Sequence, residues 1–159
     1  MIKLRKFTND DISEISLLLN DDQVSRWTSN IPYPYSEKDA EAWLSETEKI
    51  DRYPCAIEFN DELVGCVSHW PHSKASVEVG YWVGRKYWGQ GIGSKALSLF
   101  MKKDSFPQCN KVVAKIMEGN IGSEKVLLNN GFNFIEKCIV VKSGKKIDAR
   151  YFERPIPVE

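Results

Sequence analysis

Three observations predict a mixed α/β (α+β) fold on a mostly antiparallel sheet of about seven strands. Seven segments carry strand character, five carry the 3.6-residue periodicity or cap signals of helices, and short turns tie the middle strands into a meander. At 159 residues the chain suits one domain, 1–159, long enough to bury a real core and too short for two ordinary ones.

Taken in order, IKLRKF (2–7) alternates as a strand should. Thr8 followed by Asp11 reads as a capping box for a helix over 9–19, with Ile12, Ile15, Leu18 and Leu19 on one face. Asp21 to Trp27 predicts a second, short helix. TSNIPYPYS then breaks the pattern with prolines, and Ser36 with Asp39 caps a helix that turns Ala40, Trp43 and Leu44 inward. Strands follow at 53–59, 62–70 and 75–83, the first two joined by the tight Asn60-Asp61 turn. A helix over 92–103, a strand over 111–117, a helix over 121–129 and strands over 132–141 and 146–154, around Ser143-Gly144, complete the pattern.

Composition narrows the function classes. Lys plus Arg equals Asp plus Glu at 22 each, and no block of like charge suggests a nucleic-acid groove or a membrane-surface patch. MIKLRKFTNDDISEI lacks the apolar core of a signal peptide, and no apolar run approaches the roughly 20 residues of a membrane span. The expectation is a cytoplasmic protein, monomer or homodimer, without nucleic-acid or membrane partners. Cys55, Cys66, Cys109 and Cys138 show no Cys-x-x-Cys pair and no zinc-finger spacing, so they predict reduced, mostly buried thiols and no metal. His69 and His72 flank an expected proline turn without a ligand-spaced partner.

The chemistry concentrates in GRKYWGQGIGSKAL (84–97), where Gly89, Gly91 and Gly93 stand at the mouth of a helix. The first N–H groups of a helix lack carbonyl partners, and glycine lets an anion approach them without a Cβ in the way. Ser94 adds a hydroxyl. A Walker A loop fails because Gln90 stands where its lysine belongs, and G-x-G-x-G departs from the dinucleotide fingerprint G-x-G-x-x-G. A glycine-rich reversal of direction is the competing use of the same residues.

A wider pattern includes this loop. IPYPYSEKDAEAWL (31–44), VEVGYWVGRKYWGQGIGSKAL (77–97) and NIGSEKVLLNNGF (120–132) stand in the order and spacing of the GNAT superfamily of acetyl-CoA-dependent N-acetyltransferases. The sequence resembles in particular its RimJ/RimL-type branch. That resemblance implies helices on both faces of the sheet and a splayed central strand pair, 75–83 from 111–117. It implies that Trp88, Gly89, Gln90, Gly91, Ile92, Gly93 and Ser94 hold the pyrophosphate of acetyl-CoA, with Trp88 where Gln or Arg is usual. Backbone at Tyr81, Trp82 and Val83 would then bond the pantetheine arm as an added strand does. Gly80 marks either a bulge that opens the wedge or a close packing contact.

Direct attack by an amine needs that amine neutral, so a base is required. Glu78, on the strand face opposite Val77 and Val79, is the candidate. Asn120 opens the family's second motif, with Ser123, Gly131 and Phe132 in its other places. A tyrosine that commonly protonates the leaving thiolate is replaced here by Leu127, which leaves Ser123 or water for that step. Trp27, Tyr33 and Tyr35 fall in the region that borders the acceptor cleft, and Trp43, Trp70 and Trp82 read as core or cofactor wall. Arg85, Lys86 and Lys95 are either phosphate partners or solvated surface charge. The resemblance implies acetyl transfer to a primary amine, on a protein N-terminus or a small molecule such as a polyamine or aminoglycoside. A catalytically silent acyl-CoA sensor is the alternative that Leu127 keeps open.

Overall fold

A computed structural model describes residues 1–157. Its strands are β1 (Ile2–Arg5), β2 (Tyr53–Phe59), β3 (Glu62–Ser73), β4 (Ser76–Val83), β5 (Lys111–Met117), β6 (Asn133–Lys142) and β7 (Lys145–Pro155). The helices are α1 (Ile12–Leu19), α2 (Asp22–Arg26), α3 (Glu37–Thr47), α4 (Ile92–Met101) and α5 (Ile121–Asn129). All seven strands form one sheet in the order β1-β2-β3-β4-β5-β7-β6.

Local chemistry accounts for most boundaries. The Thr8 amide donates to Asp11 Oδ2 at 2.8 Å, and a 3-10 turn over Asn9–Asp11 leads into α1. Ser36 and Asp39 form the reciprocal box that starts α3, with amide-to-side-chain bonds of 2.8 and 3.3 Å. At the β2-β3 turn Asn60 and Asp61 hold φ of 51 and 67°, the left-handed pair that matches the twist of a hairpin. No proline turn separates His69 from His72, because β3 runs on through Pro71 to Ser73. Pro71 is tolerated there because β2 pairs no further than His69, so its missing N–H faces no partner strand.

The sheet is covered on both faces. On one, α4 and α5 pack Ile92, Ala96, Leu97, Phe100 and Leu127 against Val67, Val79, Val112, Phe132 and Phe152. On the other, α1 to α3 bring Ile15, Leu18, Leu19, Val24 and Ala40 onto Ala56 and Leu63. Burying each of the larger of these side chains contributes about 1.5–3 kcal/mol, which holds the helices although their own hydrogen bonds add little. Of the cysteines only Cys66 is buried; Cys55, Cys109 and Cys138 lie on less crowded positions and are half-buried.

One irregularity positions the site. Every neighbouring pair is antiparallel except β4 and β5, which run parallel and pair only as Ser76–Glu78 with Lys111–Val113. Beyond Glu78, β4 stays on β3 as far as Val83, while β5 stays on β7 as far as Met117. The two strands therefore part at Glu78, leaving one edge of β4 and one of β5 facing a wedge. Gly80 is not a bulge: it pairs in register with Ser68, and a Cβ on it would stand 2.7 Å from Trp70 Cη2. Its bareness makes room for the Trp70 indole.

Candidate active site

The glycine loop joins the open end of the wedge to α4. Gly89 and Gly91 take φ of +78 and +74°, where a side chain is strained, and a Cβ on either would meet nothing within 4 Å. These glycines set backbone direction and leave space above it. Gly93 does a different job, its Cβ position lying 3.2 Å from Val126 of α5. Gly91 caps α4 without any side-chain acceptor. The first helical amide with a partner is that of Lys95, on Gly91 O at 3.2 Å. The amides from Gly89 to Ser94 thus have no acceptor among the described residues, and they converge at the positive end of a ten-residue helix. That arrangement fits a diphosphate.

Side chains around the loop are tied elsewhere. Ile92 is 2% exposed and lies in the core, so it offers the loop only its amide. The Ser94 hydroxyl accepts from Asn129 Nδ2 at 3.2 Å, fastening α4 to α5. Trp88 Nε1 donates to the Val83 carbonyl at 2.7 Å, which engages one of the acceptors expected to face the pantetheine arm. Arg85 lies 3.7 Å from Asp21, and Lys86 sits over the Tyr87 ring.

Glu78 occupies the point where β4 and β5 separate. Its side chain is 14% exposed, and its nearest cation is Lys115 Nζ at 4.0 Å. It lines a cavity of about 760 Å³ that runs from the wedge to the α2-α3 region. Trp27, Tyr35, Trp43, Trp70 and Trp82 form much of its wall. Tyr35 is buried, its amide held by Asn20 Oδ1 at 3.0 Å, and burial raises its hydroxyl pKa to about 12. Tyr33 is 54% exposed and stands outside the lining. On the far side Ile139, Val140 and Val141 of β6 close the cavity, and Lys142 Nζ donates to the Ser25 carbonyl across its rim.

At the start of α5, Asn120 Oδ1 accepts from the Ser123 amide at 3.2 Å, and both residues line the cavity. Leu127 is fully buried in the core, one turn further along the helix. The Tyr81 hydroxyl donates to the Ser123 carbonyl at 3.0 Å, and burial pushes its pKa well above the ordinary value. This phenol bridges β4 to α5 and makes Tyr81 more than a backbone position.

Sequence patterns gave no sign of Arg52, Lys115 or the role of Trp70. Arg52 lies in the irregular segment between α3 and β2, where no periodicity assigns a direction to a side chain. Its Cζ lies over the Trp70 ring, 4.2 Å from the centroid, and desolvation lowers its pKa against the pull of Cys66, Glu78 and Glu46. Alternation along β3 puts Trp70 opposite Glu78, its register partner; only the folded sheet brings Arg52 onto it.

Comparison with known proteins agrees with this geometry. Residues 2–133 match the family model described as the acetyltransferase (GNAT) domain. Among curated sequences, none matches the chain. Mycobacterium smegmatis RimJ, solved with CoA-disulfide, is 20% identical with a TM-score of 0.83 over 97% of this chain and 81% of that one. The microcin C7 self-immunity acetyltransferase MccE, solved with acetyl-CoA and AMP, is 19% identical with a TM-score of 0.84 over 98% and 92% of the two chains. A ribosomal-protein-alanine N-acetyltransferase from Brucella melitensis is 20% identical with a TM-score of 0.75 over 97% and 99%. At these identities the solved structures establish a shared fold, and the family rests on the sequence model that spans most of the chain. With the free amides of the glycine loop and the wedge at Glu78 in place, the chain belongs to the GNAT family of acetyltransferases, which take their acetyl group from acetyl-CoA.

Proposed function

We propose that the protein is an N-acetyltransferase that moves the acetyl group of acetyl-CoA to a primary amine, and that Glu78 is the base. The observation that carries this reading is the position of Glu78: a largely buried carboxylate at the fork of β4 and β5, inside the cavity and beside the free strand edge. Acetyl-CoA supplies an activated thioester. The loop amides from Gly89 to Ser94 hold its diphosphate, and the free edge of β4 offers the pantetheine arm the backbone groups of alternate residues, Val79, Tyr81 and Val83, less the Val83 carbonyl that Trp88 engages; those of Gly80 and Trp82 bond β3. Free N–H groups of the same edge favour negative charge developing on the carbonyl oxygen.

An amine enters from the aromatic side of the cavity as an ammonium and must lose a proton before it can attack. Glu78 accepts that proton, directly or through water. Lys115 Nζ stands 4.0 Å from that carboxylate. Leu127 carries no proton and is turned into the core, so the departing thiolate takes its proton from the Ser123 hydroxyl or from water. A thiol of ordinary pKa leaves without strong acid help.

The acceptor is a protein N-terminus or a small-molecule amine, and the protein acts in the cytoplasm. Among the described residues no helix is long and apolar enough to cross a membrane. Incubation with acetyl-CoA and a panel of N-terminal peptides, amino acids, polyamines and aminoglycosides, read by thiol release and by mass gain on the amine, tests the reading. Acetylated product from at least one class is expected. Acetyl-CoA binding without transfer to any amine would replace it with a silent acyl-CoA sensor.

A further inference from the structure

We propose that Arg52 selects the acceptor, and that the preferred acceptor is an amine carrying a carboxylate, held by the Arg52 guanidinium with its amino group toward Glu78. The inference rests on the acetyl-transfer reading of the same cavity.

Three observations lead there. First, Arg52 is half-buried, yet among the described residues its guanidinium has no hydrogen-bonded or ion-paired partner. Of the other half-buried arginines, Arg5 is paired with Asp11 at 2.8 Å and Glu58 at 2.5 Å, Arg150 with Glu124 at 3.1 Å and Glu118 at 3.9 Å, and Arg154 donates to Met101 Sδ at 3.4 Å. A guanidinium partly withdrawn from water without an anion gains most from one that arrives with a ligand.

Second, its placement is built. Trp70 holds the guanidinium face at 4.2 Å, and Trp70 itself lies over Gly80, where any Cβ would stand 2.7 Å from the indole. The bare strand position, the indole and the cation form one stack. Contact with the indole anchors the guanidinium while its N–H donors keep no protein acceptor among the described residues, which leaves them available for bidentate carboxylate binding.

Third, charges in the cavity are divided. Arg52 lines both this cavity and a second cleft, and Glu78 and Glu46 line the active-site cavity with it. Glu78 is the register partner of Trp70 in the neighbouring strand. Carboxylates that attract an ammonium thus lie next to a lone cation that attracts its counter-charge. The other cation of the cavity, Lys115, has its Nζ 4.0 Å from Glu78. A molecule with an amine and a carboxylate complements both ends, whereas a polyamine would meet Arg52 with like charge.

The carboxylate has two sources, the α-carboxylate of a free amino acid or the acidic side chain of a peptide N-terminus, and matched pairs separate them. One arm compares free amino acids with their carboxamides. The other compares C-terminally amidated peptides beginning with Asp or Glu against those beginning with Asn or Gln. In one arm the carboxylate member is expected to have a kcat/KM about 10- to 100-fold higher, as one or two charge-assisted hydrogen bonds give. Arg52→Met should bring that ratio close to one, with Arg52→Lys, which keeps the charge and the stem, falling between.

Calorimetry of the CoA-bound protein with N-acetylated carboxylate and carboxamide products reads recognition without turnover, and melting curves check that each variant folds. A wild-type protein indifferent to the carboxylate in both arms, or a preference that survives in folded Arg52→Met, overturns the inference. If amines are acetylated without that preference, only Arg52 selection falls. If no amine is acetylated while the carboxylate product still binds through Arg52, selection stands and the catalytic reading falls.

Discussion

Gly91→Ala tests whether the glycine loop is bare for its own backbone or for a ligand, because an internal control exists. Gly91 has φ of +74° and Gly144, in the β6-β7 turn, has φ of +77°; a Cβ on either meets nothing within 4 Å. Within the protein, alanine at each site therefore costs backbone strain alone, about 1 kcal/mol. For a chain of this size that lowers Tm by roughly 2–4 °C in both variants. They separate on acetyl-CoA. The Gly91 Cβ enters the space above the amides from Gly89 to Ser94, and displacing a diphosphate from one charge-assisted bond costs about 1.5–3 kcal/mol, or about 10- to 100-fold in Kd. Calorimetric titration with acetyl-CoA, beside thermal melting of each variant, measures both quantities. Equal Kd values for Gly91→Ala and Gly144→Ala would refute the argument, because strain would then explain the glycine completely.

Two further outcomes follow from the same geometry. Glu78→Gln removes the base while keeping the shape of the side chain, so kcat/KM should fall by about 10²- to 10⁴-fold, with the alkaline rise of rate flattened and acetyl-CoA affinity retained; an unaltered pH-rate profile would remove Glu78 from the mechanism. Hydrogen bonding from Arg5 holds the Asp11 carboxyl below its ordinary pKa, so the stability this contributes is present above the unfolded carboxylate value and is lost as pH falls through the folded one. Asp11→Asn should cost about 1–2 kcal/mol near neutrality, since Arg5 is partly solvated, and the two proteins should converge in strong acid. Denaturant curves that keep the same gap at pH 7 and below pH 3 would contradict that linkage.

Features carried by neighbouring residues and features carried by tertiary contacts separate along physical lines. Helices and strands were legible wherever one residue's chemistry acts on near neighbours. Ser36 with Asp39 marked the start of α3, and Asn60-Asp61 marked the β2-β3 turn to the residue. Strand and helix bounds at 53–59, 111–117 and 121–129 agree with the pattern of apolar residues. The proline at 71 misled because its effect depends on whether a partner strand needs its N–H, and β2 ends before reaching it. Gly80 admitted two readings for the same reason: only the cross-strand position of Trp70 distinguishes a bulge from a packing contact.

The candidate site follows the same rule. Bare amides ahead of α4 are a local property, so GQGIG marks them in the sequence, where a plain reversal of direction is the competing use of the same glycines. Their counterparts are not local. Tyr81 meets Ser123, Glu78 meets Lys115 and Arg52 meets Trp70 only through the order of strands in the sheet, and the inward turn of Leu127 depends on the core beneath it.

The sequence alone determined the elements, the helix-mouth amides and the family, because capping, turn conformation and hydrophobic period are carried by residues a few positions apart. Tertiary structure decided where β4 leaves β5, which cation stands beside Glu78 at that fork and which cation is left without a partner. Those depend on which side chains meet across strands, and no short-range rule encodes that meeting.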